Sequence, residues 1–195
     1  MERQREIAAY HEAGHAVVAL ALSVKALHVS IVPMGNSAGR VTHHGLPAPD
    51  DDSAIFIALA GPIAQKRFAP ESEWLAGSDV AIVDQIITKS GGTAAQNKKR
   101  LASLCEHANQ IVEYFWRDIA VAAKALLKHK TMTGNEITSA IRAARQKSQR
   151  RCRAGDPPEF ALAATCGSCV PPASVVIRTA ARRTALIWSR FGDFP

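Results

Sequence analysis

A chain of 195 residues, 47% of them hydrophobic, can bury the core of one ordinary domain and carry an extension besides. Its formal charge of +7 is uneven: residues 1–141 hold 14 Lys and Arg against 14 Asp and Glu, while residues 142–195 hold 10 against 3, which is the whole excess. The neutral part offers no basic groove for nucleic acid, four cysteines without a secretory leader make no disulfide framework, and no apolar run reaches the ~18 residues of a membrane span.

Taken in order, the opening residues MERQRE lack the apolar stretch of a signal peptide, so cytoplasm is the expected location. Residues 3–23 read as a helix with Ile7, Val17, Val18, Leu20 and Ala21 on its apolar face. Inside it stands His11-Glu12-Ala13-Gly14-His15. A helix turns once in ~3.6 residues, so His11 and His15 project from one face and can bind a single metal ion. Glu12 then lies at the flank of that ion, where it can take a proton from a water molecule. This is the HExxH pattern of zinc metalloproteases. Gly14 costs about 1 kcal/mol in a helix interior relative to Ala, which is understandable if something must approach closely there.

Residues 27–33 alternate and predict a strand; Gly35 to Gly39 is a turn cluster, and Val41-Thr42 begin a return strand. The edge of such a hairpin could receive an extended peptide through backbone hydrogen bonds. His43 and His44 point to opposite faces of the return strand and read as surface or pocket-rim residues. Asp50, Asp51, Asp52 and Ser53 suit a helix N-terminus, followed by a helix to about Phe68 with Pro62 inside it. After a loop carrying Glu71 and Glu73, Asp79 opens a helix with Ile82, Val83, Ile86 and Ile87 on its apolar side, stopped by Gly91-Gly92.

Two helices are expected across residues 95–129, with Cys105 as a small core residue, and Thr133 with Glu136 forms the capping box of a last helix ending near Arg145. From Gln146 the pattern is lost, and residues 146–195 read as a poorly ordered basic extension. Cys166-Gly167-Ser168-Cys169 resembles the start of a papain-type signature, but Val170 stands where an aromatic is needed and no His follows. If residues 175–191 became helical, their arginines would permit weak contact with an acidic membrane surface.

A zinc site needs more than two histidines. The extended pattern of the metzincins fails at Val18 and Ala21. Asp79, Asp84, Glu71, Glu73, His43, His44 and His107 all remain open as the third ligand on residue chemistry alone. A glutamate from a later helix, as in thermolysin-like enzymes, is the alternative within the zinc class.

Several stretches together carry a resemblance. Ala9 to Leu20, the HVSIVP segment from His28 to Pro33, Gly35, Gly39, Leu46-Pro47, Gly77-Ser78-Asp79, Leu126-Leu127 and Thr131 to Ile137 resemble the peptidase part of the FtsH family, the membrane-anchored AAA zinc proteases. They run in that family's order over about residues 6–145. The resemblance implies a mainly α fold with a small β-hairpin or sheet, a zincin peptidase domain over residues 1–145, and the basic tail beyond it. It implies zinc held by His11, His15 and Asp79, with Glu12 as the base. The chain departs from the family at Gly61-Pro62-Ile63-Ala64-Gln65-Lys66, where a GRAAEE type of stretch is usual, so both carboxylates are missing. There is no GxxxxGKS or GxxxxGKT phosphate loop. The expectation is therefore a zinc metalloendopeptidase acting on unfolded polypeptides without its own ATPase, with a separate AAA ATPase as a conceivable partner. A non-catalytic FtsH-like binding or adaptor domain is the alternative; Glu12 argues against it, because a binding site needs no general base.

Overall fold

The structure, a computed structural model, describes residues 2–33, 39–43, 51–73 and 77–153. The readings made for residues 154–195, for the turn cluster before Gly39, for His44 and Asp50, and for the side chain of His43 lie outside the described residues. Six helices and a three-stranded sheet follow in the order α1 (Glu2–Ala21), β1 (Ala26–Ser30), β2 (Arg40–His43), α2 (Asp51–Phe68), α3 (Gly77–Lys89), α4 (Ala94–Tyr114), α5 (Trp116–His129), β3 (Thr131–Thr133) and α6 (Gly134–Arg153).

The first helix is the centre of the molecule. Sequence periodicity suggests one apolar face, yet α1 is buried on all sides from Ile7 to Ala19. Small residues make this possible: Ala9, Ala13, Ala16 and Ala19 are wholly inaccessible, so neighbours close in from every direction. One neighbour is α2, on a seam with almost no side-chain thickness. A Cβ added to Gly14 would stand 2.6 Å from the Ala60 carbonyl oxygen and 2.8 Å from the Ala64 Cβ. The N-terminal half of α1 is fixed by an aromatic stack, Tyr10 lying 3.8 Å from Phe68 and 5.5 Å from Trp116 between ring centroids. Arg3 covers Phe68 and Arg67 covers Trp116, adding cation–π contact at both ends of the stack.

The sheet has the order β2-β1-β3, antiparallel throughout, with Val29 opposite Val41 on one side and Met132 on the other. Its third strand is absent from the sequence reading. Three residues, Thr131-Met132-Thr133, are too few to show a period of two, and only pairing with β1 makes them a strand. Lys130, at a φ of 65°, turns the chain from α5 into it.

The last helix does not stop near Arg145 but continues to Arg153. Its start is the capping box read from the sequence: the Glu136 amide donates to Thr133 Oγ1 (3.2 Å), and the Thr133 amide donates to Glu136 Oε2 (2.7 Å). Arg145 is tied back to α5, its Nε donating to Asp118 Oδ1 at 3.0 Å. A further difference concerns α3, where Val83 and Ile87 are buried but Ile82 is 44% exposed, so its apolar stripe is narrower than the sequence suggests. No helix among the described residues is long and apolar enough to cross a membrane.

Candidate metal centre

On α1, His11 and His15 are one turn apart and both buried, and their Nε2 atoms lie 3.1 Å from each other. From the first turn of α3, Asp79 brings Oδ2 to 3.2 Å from His11 Nε2 and 3.5 Å from His15 Nε2. These atoms form a nearly equilateral triangle. Ligands bound to zinc at ~2.0–2.1 Å in tetrahedral directions are about 3.3–3.4 Å apart, so the triangle has the dimensions of one face of a zinc tetrahedron. Among the described residues this is the group of three His, Cys, Asp or Glu side chains that could hold a metal ion.

The outer nitrogens of the two rings decide what the inner ones offer. His15 Nδ1 is 2.7 Å from the Ile57 carbonyl oxygen, which can only accept, so Nδ1 carries the proton. His11 Nδ1 is 3.0 Å from Gln65 Oε1. The Gln65 amide cannot be reversed, because its Nε2 donates to Ser72 Oγ and to the Glu73 carbonyl. His11 Nδ1 is therefore also a donor. With both rings neutral, two Nε2 lone pairs and a carboxylate oxygen converge on one point. Lone pairs that meet in this way need a cation, or protons borrowed by the rings, to hold them together. The residues fit a divalent metal.

Helix α2 supplies this support along a single face. Ile57, Gly61 and Gln65 are spaced by four, and each meets a histidine of α1. Gly61 lies flat against the His15 imidazole, so closely that any Cβ there would overlap the ring.

The two carboxylates are set in opposite states. Burial opposes ionisation of Asp79, but when protons rather than a cation hold the three atoms together, hydrogen bonds from His11 and His15, and their positive charge, outweigh it and hold the carboxyl well below its ordinary range. Glu12 is 6% exposed. Burial pushes it up to about 7, against the pull of His11 and with the added repulsion of Asp79. Gly39, at the entry to β2, lies over Glu12; a Cβ there would be 2.6 Å from Glu12 Oε1.

The other candidates are elsewhere. Glu71 pairs with Arg3 at 2.8 Å. Asp84 is exposed on α3, His107 is half-buried on α4, and the exposed Glu73 reaches Gln65 only through its carbonyl. Gln65, the Ile57 carbonyl and Gly39 were not singled out for the site by the sequence, although Gln65 stands in the stretch that departs from the FtsH pattern. A wholly buried amide on a helix otherwise lined by Ala and Ile was the available signal.

Comparison with known proteins gives one consistent group. No family model matches the chain. It is 29% identical over 163 residues to the ATP-dependent zinc metalloprotease FtsH of Ruminiclostridium cellulolyticum, covering 75% of this chain and 25% of that protein. The FtsH of Caldicellulosiruptor bescii is 28% identical over 162 residues, with 76% and 25% covered. Within a shorter stretch of 56 residues, 28% of this chain, identity to FtsH 2 of a Thermoanaerobacter species reaches 50%. The chain thus spans about a quarter of the length of the curated relatives it matches.

Proposed function

From this relationship to the FtsH zinc metalloproteases we infer that the chain is a zinc-dependent metalloendopeptidase that cleaves unfolded polypeptides. One observation carries the reading: buried His11 and His15 and half-buried Asp79 direct three ligand atoms to one point, with a buried carboxylate, Glu12, beside them.

His11, His15 and Asp79 are the residues that would hold the metal. A zinc ion held by them would supply Lewis-acid chemistry, polarising a peptide carbonyl and lowering the pKa of water to ~7. Glu12 takes a proton from the attacking water as its oxygen adds to the carbonyl carbon. It returns that proton to the amine as the carbon–nitrogen bond breaks. In the metal-free chain burial already opposes the charged form of Glu12, which favours its uptake of a proton from water. The substrate reading rests on β2, a sheet edge that begins beside Gly39 and hence beside Glu12. An extended polypeptide added to that edge would bring successive carbonyls past the site. The partner is accordingly a polypeptide without stable structure, and a separate AAA ATPase is a candidate source of such chains.

Purified protein should contain one zinc per chain and hydrolyse casein. Glu12→Gln should keep the zinc and lose about 10²- to 10⁴-fold in rate, the contribution ordinary for a general base. Asp79→Ala should lose most of the zinc by elemental analysis. Full activity in Glu12→Gln would overturn the mechanism, and full zinc in Asp79→Ala would overturn the ligand assignment.

A further inference from the structure

Gln65 is a wholly buried polar side chain that touches no reacting atom, yet every one of its amide hydrogen bonds leads to something the site depends on. Its oxygen receives the proton of His11 Nδ1. Its nitrogen donates to Ser72 Oγ, 3.0 Å away, and to the Glu73 carbonyl. Ser72 is itself anchored, its hydroxyl donating to the Ala69 carbonyl at 2.7 Å, so it presents a lone pair to the amide. Six residues beyond Glu73 comes Asp79.

We propose that Gln65 is a positioning residue for the metal centre: its amide oxygen fixes His11 with the proton on Nδ1 and the lone pair on Nε2, while its amide nitrogen pins the Ser72–Glu73 segment that leads to Asp79. One side chain thereby joins the helix that carries two ligands to the segment that delivers the third. This rests on the reading of His11, His15 and Asp79 as metal ligands.

The choice of an amide has a physical reason. A carboxylate at this position could accept from His11 but could donate to neither Ser72 nor Glu73, and its charge would face the Glu73 carbonyl oxygen. An aliphatic side chain would leave the buried His11 N–H without a partner and would release the Glu73 carbonyl. Glutamine alone among residues of this length accepts on one side and donates twice on the other. It also leaves the centre one negative charge poorer than a carboxylate would, which keeps Asp79 and Glu12 as the only carboxylates found close to the ligands among the described residues.

The test is zinc affinity of the full chain, measured by competition with a chromophoric chelator. Gln65→Leu should weaken binding about 10- to 100-fold, the usual effect of removing a partner of a ligating histidine. Gln65→Glu restores the acceptor for His11 but not the donor to Ser72 and Glu73, and should recover part of that loss. A folded Gln65→Leu that binds zinc as tightly as wild type would overturn the proposal, as would Gln65→Glu binding as weakly as Gln65→Leu. If Gln65→Leu does not fold, nitrogen-15 NMR of the zinc-loaded wild type still decides: His11 must show Nδ1–H, and an Nε2–H tautomer there overturns the assignment. A wild type that takes up no zinc would instead refute the metal reading itself.

Discussion

Glu12 is held in conflict with its surroundings, and that conflict has a sign that can be measured. Its ordinary pKa is 4.5 and burial raises it to about 7. Between those values the folded chain binds more protons than the unfolded one, so stability must fall as pH rises through the window. In metal-stripped protein the effect of this one group should approach about 3 kcal/mol, at ~1.4 kcal/mol per unit. Urea unfolding of the wild type against Glu12→Gln, at intervals from pH 4.5 to 7.5, should show the variant gaining relative stability as pH rises. A pH-independent difference would mean that Glu12 is not desolvated in the folded state. Stability given up at this position is the ordinary counterpart of a carboxyl kept ready to exchange protons. Gly39 can lie over it only because it has no side chain.

At the scale of elements, α1 and α2 are matched surfaces. Gly61→Ala tests the match. Helix propensity alone would make Ala the better residue by about 1 kcal/mol. Here the added methyl meets the His15 ring, and overpacking of this kind costs about 1–3 kcal/mol. The variant should therefore melt lower than wild type and hold zinc more weakly; a higher melting temperature with unchanged zinc affinity would show that the rings have room to retreat. The start of α6 offers a test of a different kind. Hydrogen bonds from the Thr133 amide and hydroxyl keep the Glu136 carboxyl below its ordinary range. Its contribution is present above the unfolded pKa and lost as pH falls through the folded one. Glu136→Gln should thus be less stable than wild type at neutral pH, and thermal unfolding should bring the two together once the medium is acid enough to protonate Glu136. That capping box was legible in the sequence because a cap is written within four residues, and so is the HxxxH spacing. What was not legible is long-range: β3 exists only because β1 lies beside it, Ile82 is exposed because α3 packs by a narrow strip, and α6 passes Arg145 because Asp118 on another helix receives that side chain. Asp79 belongs between the two classes, since its spacing from His15 carries no information and family likeness alone had selected it.

For the whole molecule, the question is what such a site can reach unaided. On the proposed reading a substrate lies extended along β2 and has to surrender its own backbone pairing first, and opening a stable fold can take up to its full ~5–15 kcal/mol. The sequence holds no phosphate loop that would couple nucleotide hydrolysis to this work. The 195-residue chain should therefore digest casein without ATP and leave a stable fluorescent protein intact whether or not ATP is present. ATP-stimulated loss of fluorescence would reveal an energy-coupling site in these residues. One feature of the architecture bears on the protein's life with its metal. On the proposed ligand set, two ligands are rooted in the most enclosed helix of the structure, whereas the third rides on α3, which buries only Val83 and Ile87 and turns Val80 and Ile82 outward. An ion bound across this divide is a clasp between a firm half and a loose one. Its residence time is then governed by how often α3 lifts away rather than by the strength of the bonds from α1. Loss of the ion and local opening of α3 would then be one event, read together by zinc release and by hydrogen exchange of the α3 amides.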